Sequence, residues 1–269
     1  MQGQSVTDFT TVDQTGDPEF FSRFLHQANL QPSIVAAKST IIDGLRLRGG
    51  ERVLDVGCGM GADVFELKAI VGKSGHVSGV DFSEVLIGEA KTRAAERSLE
   101  VLFDVADAQA LPFADACFDA VRTERMLMHV PNAIRAIAEM VRVVRPGGRL
   151  SVFDMDWETQ FCDSSHREVT RKIALSFCDG MKNGWIGRSL PRLLKQHGMV
   201  DVSIVYHTVT VDHAFLQLLL GGHVAHAVSR GTITETEANS WWADLAAAHS
   251  QSTFLYGWTA MTVAGTRGT

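Results

Sequence analysis

Three stretches of this chain carry residues whose types and spacing could hold an adenosine-like ligand. The first is Asp55-Val56-Gly57-Cys58-Gly59-Met60-Gly61, a glycine loop between an apolar run and a helical pattern. Glycines suit such a loop because the chain turns sharply and a ligand must approach its backbone closely. Ala62 sits where a dinucleotide fingerprint has its third small residue, so the loop alone leaves a nicotinamide cofactor open. Asp55 in the strand and the additional Gly61 lean away from that reading. The second stretch ends in Asp81-Phe82. A carboxylate there can accept both hydroxyls of a ribose, and the ring beside it would be either a wall for an adenine or plain core. The third is Asp107-Ala108-Gln109-Ala110-Leu111-Pro112-Phe113, whose acid can accept a hydrogen bond from an adenine amino group.

For these groups to meet, one sheet must present them along one edge. The apolar runs 52–56, 76–81, 101–103, 118–121 and 150–154 read as buried parallel strands. The stretches 63–70, 84–95 and 132–143 between them read as helices, the second capped by Ser83 with Glu84 in its first turn. Such alternation predicts an α/β, doubly wound sheet with helices on both faces. Its ligand belongs at the carboxyl ends of the strands, where all three stretches fall. Asp17-Pro18-Glu19 and Pro32 start two earlier helices, closed by Gly49-Gly50. After position 154 the pattern predicts helices over 164–183 and 190–197, a strand over 202–211, a largely helical 215–249 and a last strand over 253–266. We therefore divide the chain into an N-terminal helical lid (1–50), a ligand-binding core (51–155) and a remainder (156–269) with cap insertions at 156–190 and 213–252.

Composition narrows the partners. The chain has 269 residues, 45% hydrophobic and 21% charged, which suits one α/β domain with insertions. A net charge of -6 gives no basic footprint for duplex nucleic acid. Cys58, Cys117, Cys162 and Cys178 form no CxxC pair and show no metal-ligand spacing. They read as reduced thiols, hence a cytoplasmic location. Residues 1–13 are polar and lack the pattern of a signal peptide. The longest uncharged apolar run, 214–227, falls short of the roughly 20 residues of a membrane helix and carries two histidines. A soluble monomer or homodimer acting on a small molecule is expected, with no nucleic acid, membrane or metal partner.

The segments VLDVGCGMG, GVDFS, DAQALPF, FDAV and MVRVVRPGGRL together resemble the successive motifs of class I methyltransferases that use S-adenosylmethionine (SAM). They are most similar to the small-molecule group that includes the ubiquinone/menaquinone C-methyltransferases. The resemblance implies a Rossmann-like sheet of seven strands with the last antiparallel, and S-adenosylhomocysteine as product. It implies Asp55, Gly57, Cys58 and Gly59 near the methionine part of SAM, Asp81 and Phe82 at the ribose and adenine, and Asp107 with Ala108 at the adenine. It also puts Thr123, Glu124 and Arg125 beside the sulfonium. Met60 departs from the family, which often has a small hydroxyl residue there.

Methyl transfer needs an aligned nucleophile and little else, so no triad is required. His129, between the fourth strand and its helix, is a candidate base or a structural hydrogen-bonding residue. Glu124 and Arg125 would hold the SAM ammonium or a substrate carboxylate, or form a solvated ion pair. Asp154, a second candidate for catalysis, Asp156 and Trp157 end the fifth strand. An acid beside an indole suits a cationic amine, although a rim acid and a packed Trp explain them as well. His223 is expected in the substrate pocket, and His223 with His226 has a spacing that can bind metal but lacks a third ligand. Two other readings compete: a nicotinamide-dependent oxidoreductase, and a SAM-fold protein that methylates nothing.

Overall fold

Strand β1 (Arg52–Val56) is buried from Val53 onward. Alternate residues of a strand serve opposite faces. Val53 packs with Leu67, Val71 and Ile87 on one side, while Leu54 and Val56 join Ile137, Met140 and Val143 on the other. Both faces are therefore covered, as the unbroken apolar run requires. The computed structural model describes Phe9, residues 12–14 and residues 18–269, so the expected helix cap Asp17 and most of the polar lead-in lie outside the described residues.

Strands β2 (His76–Asp81), β3 (Leu102–Val105), β4 (Phe118–Glu124) and β5 (Val144–Cys162) run parallel to β1 in the order β3-β2-β1-β4-β5. Helices α3 (Ala62–Val71), α4 (Glu84–Glu96) and α5 (Ala133–Val143) make the crossovers. The sheet continues into β7 (Tyr256–Arg267) and ends at β6 (Met199–Thr210). Strand β7 runs antiparallel to both β5 and β6. This is the doubly wound sheet with an antiparallel last strand expected above. Strand order reverses between β1 and β4, and that switch point opens the crevice an α/β sheet uses for ligands.

Several elements are longer than their patterns predict. Strand β4 reaches Glu124 because Arg122 and Glu124, which end its apolar run in sequence, are paired inside the protein. Strand β5 extends to Cys162, past the expected cap boundary at 156, because β7 pairs with it as far as Tyr256, across a register shift between Asp156 and Phe161. Helix α7 (Ile186–Gln196) begins before Leu190 and carries Pro191 internally. Its Gly187 lets it close on β5, since a Cβ there would lie 2.7 Å from the Met155 carbonyl oxygen.

The expected N-terminal lid divides in two. Helix α1 (Pro18–Ala28) lies over the carboxyl ends of the strands. Helix α2 (Pro32–Leu45) instead packs against the sheet, where Gly44 lacks the Cβ that would overlap Ala264 at 2.7 Å. Helices α6 (Arg167–Gly180), α8 (His213–Ser229) and α9 (Glu235–Ser250) build the remaining cap. A capping box between Thr234 and Glu237 starts α9. No helix among the described residues is long and apolar enough to cross a membrane.

Candidate functional site

The glycine loop has the conformation its composition requires. Gly57, Gly59 and Gly61 hold φ of 78°, 52° and 78°, a region that side chains disfavour. Space is restricted as well, because a Cβ on Gly57 would meet Met126 Cγ at 2.6 Å and one on Gly61 would meet Phe103 Cζ at 2.5 Å. The N–H groups of Gly57 and Cys58 both donate to the Val80 carbonyl, tying the loop to the end of β2. There Asp81 accepts the Gly59 N–H at 2.9 Å and the Ser83 N–H at 3.1 Å, one on each carboxylate oxygen. Burial raises the Asp81 carboxyl above its ordinary range, partly offset by those N–H groups. A carboxylate offers about four acceptor positions, so capacity remains for two hydroxyls. Phe82, 63% exposed, stands beside it. Asp107 is exposed and caps its own turn by accepting the Gln109 N–H at 2.8 Å.

Beneath these groups lies a charge network that the sequence reading lacked. Asp55 of β1 is in register with Arg122 of β4, and the two side chains meet at 3.2 Å. Arg122 also contacts Asp63 at 2.9 Å and Glu124 at 2.6 Å. Lys38 of α2 bridges Asp63 at 2.7 Å and Glu124 at 3.0 Å, and Arg125 closes on Glu124 at 2.8 Å. Three cations thus face three carboxylates. Burial pushes the Asp55 carboxyl up, which Arg122 only partly counters. Burial also opposes ionised Asp63, yet Arg122 and Lys38 outweigh it and hold that carboxyl well below the usual range. Arg122 keeps one donor free, since its Nε is buried with no partner. The signal for this network was an Arg and a Glu two positions apart on one face of an apolar strand, opposite an Asp in another.

A cavity of about 420 Å³ runs under α1 from Asp107 and Asp81 past the glycine loop to the ends of β4 and β5. Its far wall is apolar, with Met128, Met155, Trp157, Met181 and Trp258. The residues expected from sequence all line this cavity except Asp55, Thr123, Asp154 and His223. Asp55 and Thr123 are buried at the strand ends that carry the loop and Glu124. Asp154 is fully buried and accepts the N–H groups of Met128 at 3.2 Å and Met155 at 2.9 Å. It holds the turn after β4 rather than facing a ligand, and burial raises its carboxyl to about 7. Asp156 is committed to Arg188, at 2.5 and 2.7 Å. His223 bonds Ser176 at 2.9 Å and packs edge-on against Phe177, while His226 is exposed, so the two histidines do not converge. Arg125 sits at φ 52°, a strained conformation for a non-glycine residue at the mouth of the site.

His129 lines the cavity with its Nδ1 buried and unpartnered. Burial, helped by Arg125, lowers its pKa to about 4. The unfolded chain takes up that proton near 6.5, so the unfolded state binds more protons between these values and stability falls as pH drops through them. Denaturant melts of His129→Phe should accordingly lose less stability than wild type between pH 7.5 and 5, by about 2 kcal/mol. Equal losses in the two proteins would mean that this imidazole is not held neutral.

Residues 47–202 match a family model described as a methyltransferase domain. The chain belongs to the class I SAM-dependent methyltransferase family. An uncharacterized 37.1 kDa protein from a Streptomyces fradiae transposon is 35% identical to this methyltransferase-family chain over 228 residues, covering 83% of it and 66% of the relative. The 27-O-demethylrifamycin SV methyltransferase of Amycolatopsis mediterranei (strain S699) is 35% identical over 129 residues, 47% of each chain. The chain thus spans about half to two-thirds of the length of these relatives. The YcgJ protein of Bacillus subtilis shares the methyltransferase fold with a TM-score of 0.62 at 17% identity, over 86% of this chain and 97% of that one.

Proposed function

We propose that the chain transfers a methyl group from SAM to a nucleophilic atom of a small molecule and releases S-adenosylhomocysteine. The observation that carries this reading is the single cavity that joins the glycine loop and Asp81 to an apolar wall at β4 and β5. Cofactor and acceptor would share one enclosed space, which is what a direct transfer needs.

The residues present fit SAM. Asp81 has acceptor capacity for the ribose hydroxyls, the exposed Asp107 keeps acceptor positions for an adenine amino group beyond those it gives the Gln109 N–H groups, and Phe82 offers a ring face beside them. Arg122, which lines the cavity, keeps a buried Nε without a partner. The evenly matched network around it suits the zwitterionic amino-acid end. Bound SAM would supply an electrophilic methyl on a sulfonium. The protein's part is then to align and dehydrate. His129 presents a neutral ring nitrogen to the acceptor. With a pKa near 4 it is better suited to hold a hydroxyl than to keep its proton at neutral pH. Asp154 acts through the Met128 and Met155 backbone as a positioning residue. The four free cysteines suit a reducing compartment, and our reading is of a cytoplasmic monomer or homodimer that acts on neither nucleic acid nor membrane.

Isothermal titration with SAM and S-adenosylhomocysteine tests the reading. Both should bind with dissociation constants on the order of micromolar. An absence of heat from folded protein with either ligand would rule it out.

A further inference from the structure

The half of the cavity beyond β4 has a chemistry distinct from the cofactor half, and what it selects rests on the methyl-transfer reading above. Along the sheet order, the acceptor carboxylates Asp81 and Asp107 stand over β2 and β3, while the wall at β5 and β7 carries Met155, Trp157 and Trp258. The two indoles lie 4.8 Å apart. Indole N–H groups are the obvious donors on such a wall, yet both are turned onto thioethers. Trp157 Nε1 donates to Met128 Sδ at 3.1 Å and Trp258 Nε1 to Met155 Sδ at 3.0 Å. A ligand meets their ring systems and finds their donors already used.

Counter-charges are withheld in the same way. The two β5 carboxylates that could have received an ammonium group are committed, Asp154 to backbone N–H groups and Asp156 to the Arg188 guanidinium. Nearer the loop, the cations and carboxylates around Arg122 already neutralise one another. A charged acceptor seated on this wall would lose its hydration and gain no partner. A polar side chain does line that end of the cavity, His129, whose buried Nδ1 has no partner. Phe24 and Phe215, also in the cavity lining, stack at 5.4 Å with planes 29° apart and add further ring faces.

We infer that the acceptor is a neutral, flat, ring-rich molecule bearing a hydroxyl, held against the Trp157–Trp258 pair with that hydroxyl at His129. The amine-type substrate suggested by an acid beside Trp157 does not fit, because that acid is not available to it.

Three probes sharing one ring system separate the possibilities by equilibrium dialysis against the full chain, with and without S-adenosylhomocysteine: 2-naphthol, 2-naphthylmethylammonium and 2-naphthoate. Naphthol should bind at least about tenfold more tightly than either ion, since each tenfold step is a modest free-energy difference beside the desolvation of a charge. Its site is read on the wild-type protein by methionine-methyl NMR, where ring currents should shift Met128, Met155 and Met181 but leave Met199 in place. In His129→Leu the preference for 2-naphthol over naphthalene should vanish. An ion bound as tightly as naphthol, a naphthol that shifts none of the three resonances, or a hydroxyl preference that survives in His129→Leu would each overturn the inference. The two readings fail separately. Naphthol binding without any S-adenosylhomocysteine binding would remove methyl transfer and keep the wall assignment, and the converse would do the opposite.

Discussion

Arg122→Met will destabilise the protein by about 3–5 kcal/mol at pH 8, the usual cost of stripping one partner from a buried ion pair. Arg122 is 2% exposed and contacts Asp55, Asp63 and Glu124 at once. A methionine fills similar space but leaves Asp55 with no cation in contact. Lys38 still reaches Asp63 and Glu124, and Arg125 still reaches Glu124, so the damage concentrates on β1. Asp55 already has its carboxyl pushed up by burial, and losing Arg122 pushes it further. The variant then holds a proton that its unfolded chain releases near 4, so its deficit should shrink as pH falls from 8 toward 5. Urea melts at both pH values measure this. Adding Asp55→Asn to Arg122→Met should recover part of the loss, since the uncompensated charge is gone. An Arg122→Met protein as stable as wild type at pH 8 would show that the network carries no stability of this kind.

Asp81→Ala should weaken SAM binding at least about 100-fold. Two hydrogen bonds from hydroxyls to one carboxylate are of the charge-assisted kind, each worth roughly 1.5–3 kcal/mol, and about 2.7 kcal/mol already corresponds to 100-fold. The fold should survive, because the Val80 carbonyl still accepts from Gly57 and Cys58 when the Gly59 and Ser83 N–H groups lose Asp81. Asp81→Asn keeps one acceptor oxygen and should fall between. Calorimetry gives the affinities, and circular dichroism with a thermal melt confirms folding. A folded Asp81→Ala protein with wild-type affinity would remove this carboxylate from the cofactor site.

Local chemistry made much of this architecture readable. The glycines needing positive φ, the Ser83 cap that accepts the Leu86 N–H, and the apolar runs long enough only for strands each act within a few residues. They therefore mark β1, the loop and α4 without reference to the rest of the chain. Because parallel crossovers bring successive strand ends to one edge, the order of glycine loop, Asp81 and Asp107 also placed those groups around one cavity. Where the pattern misled, long-range pairing was the cause. Strand β5 continues past Asp154 because β7, drawn from the far end of the chain, supplies its partner.

Side-chain direction was the part that sequence did not contain. Asp154 and Trp157 are near neighbours in the chain, yet one turns to backbone N–H groups inside the protein and the other to the cavity wall. Arg122 meets Asp55 across 67 positions only because β1 and β4 align in one register. A shift of a single residue would send either side chain to the opposite face. The amino-acid sequence on its own determined the kind of fold and which strand ends bring the glycine loop, Asp81 and Asp107 to one cavity, since those rest on local backbone geometry. Folding settled which charges cancel and which acids are spent on the backbone, since those depend on how distant segments pack.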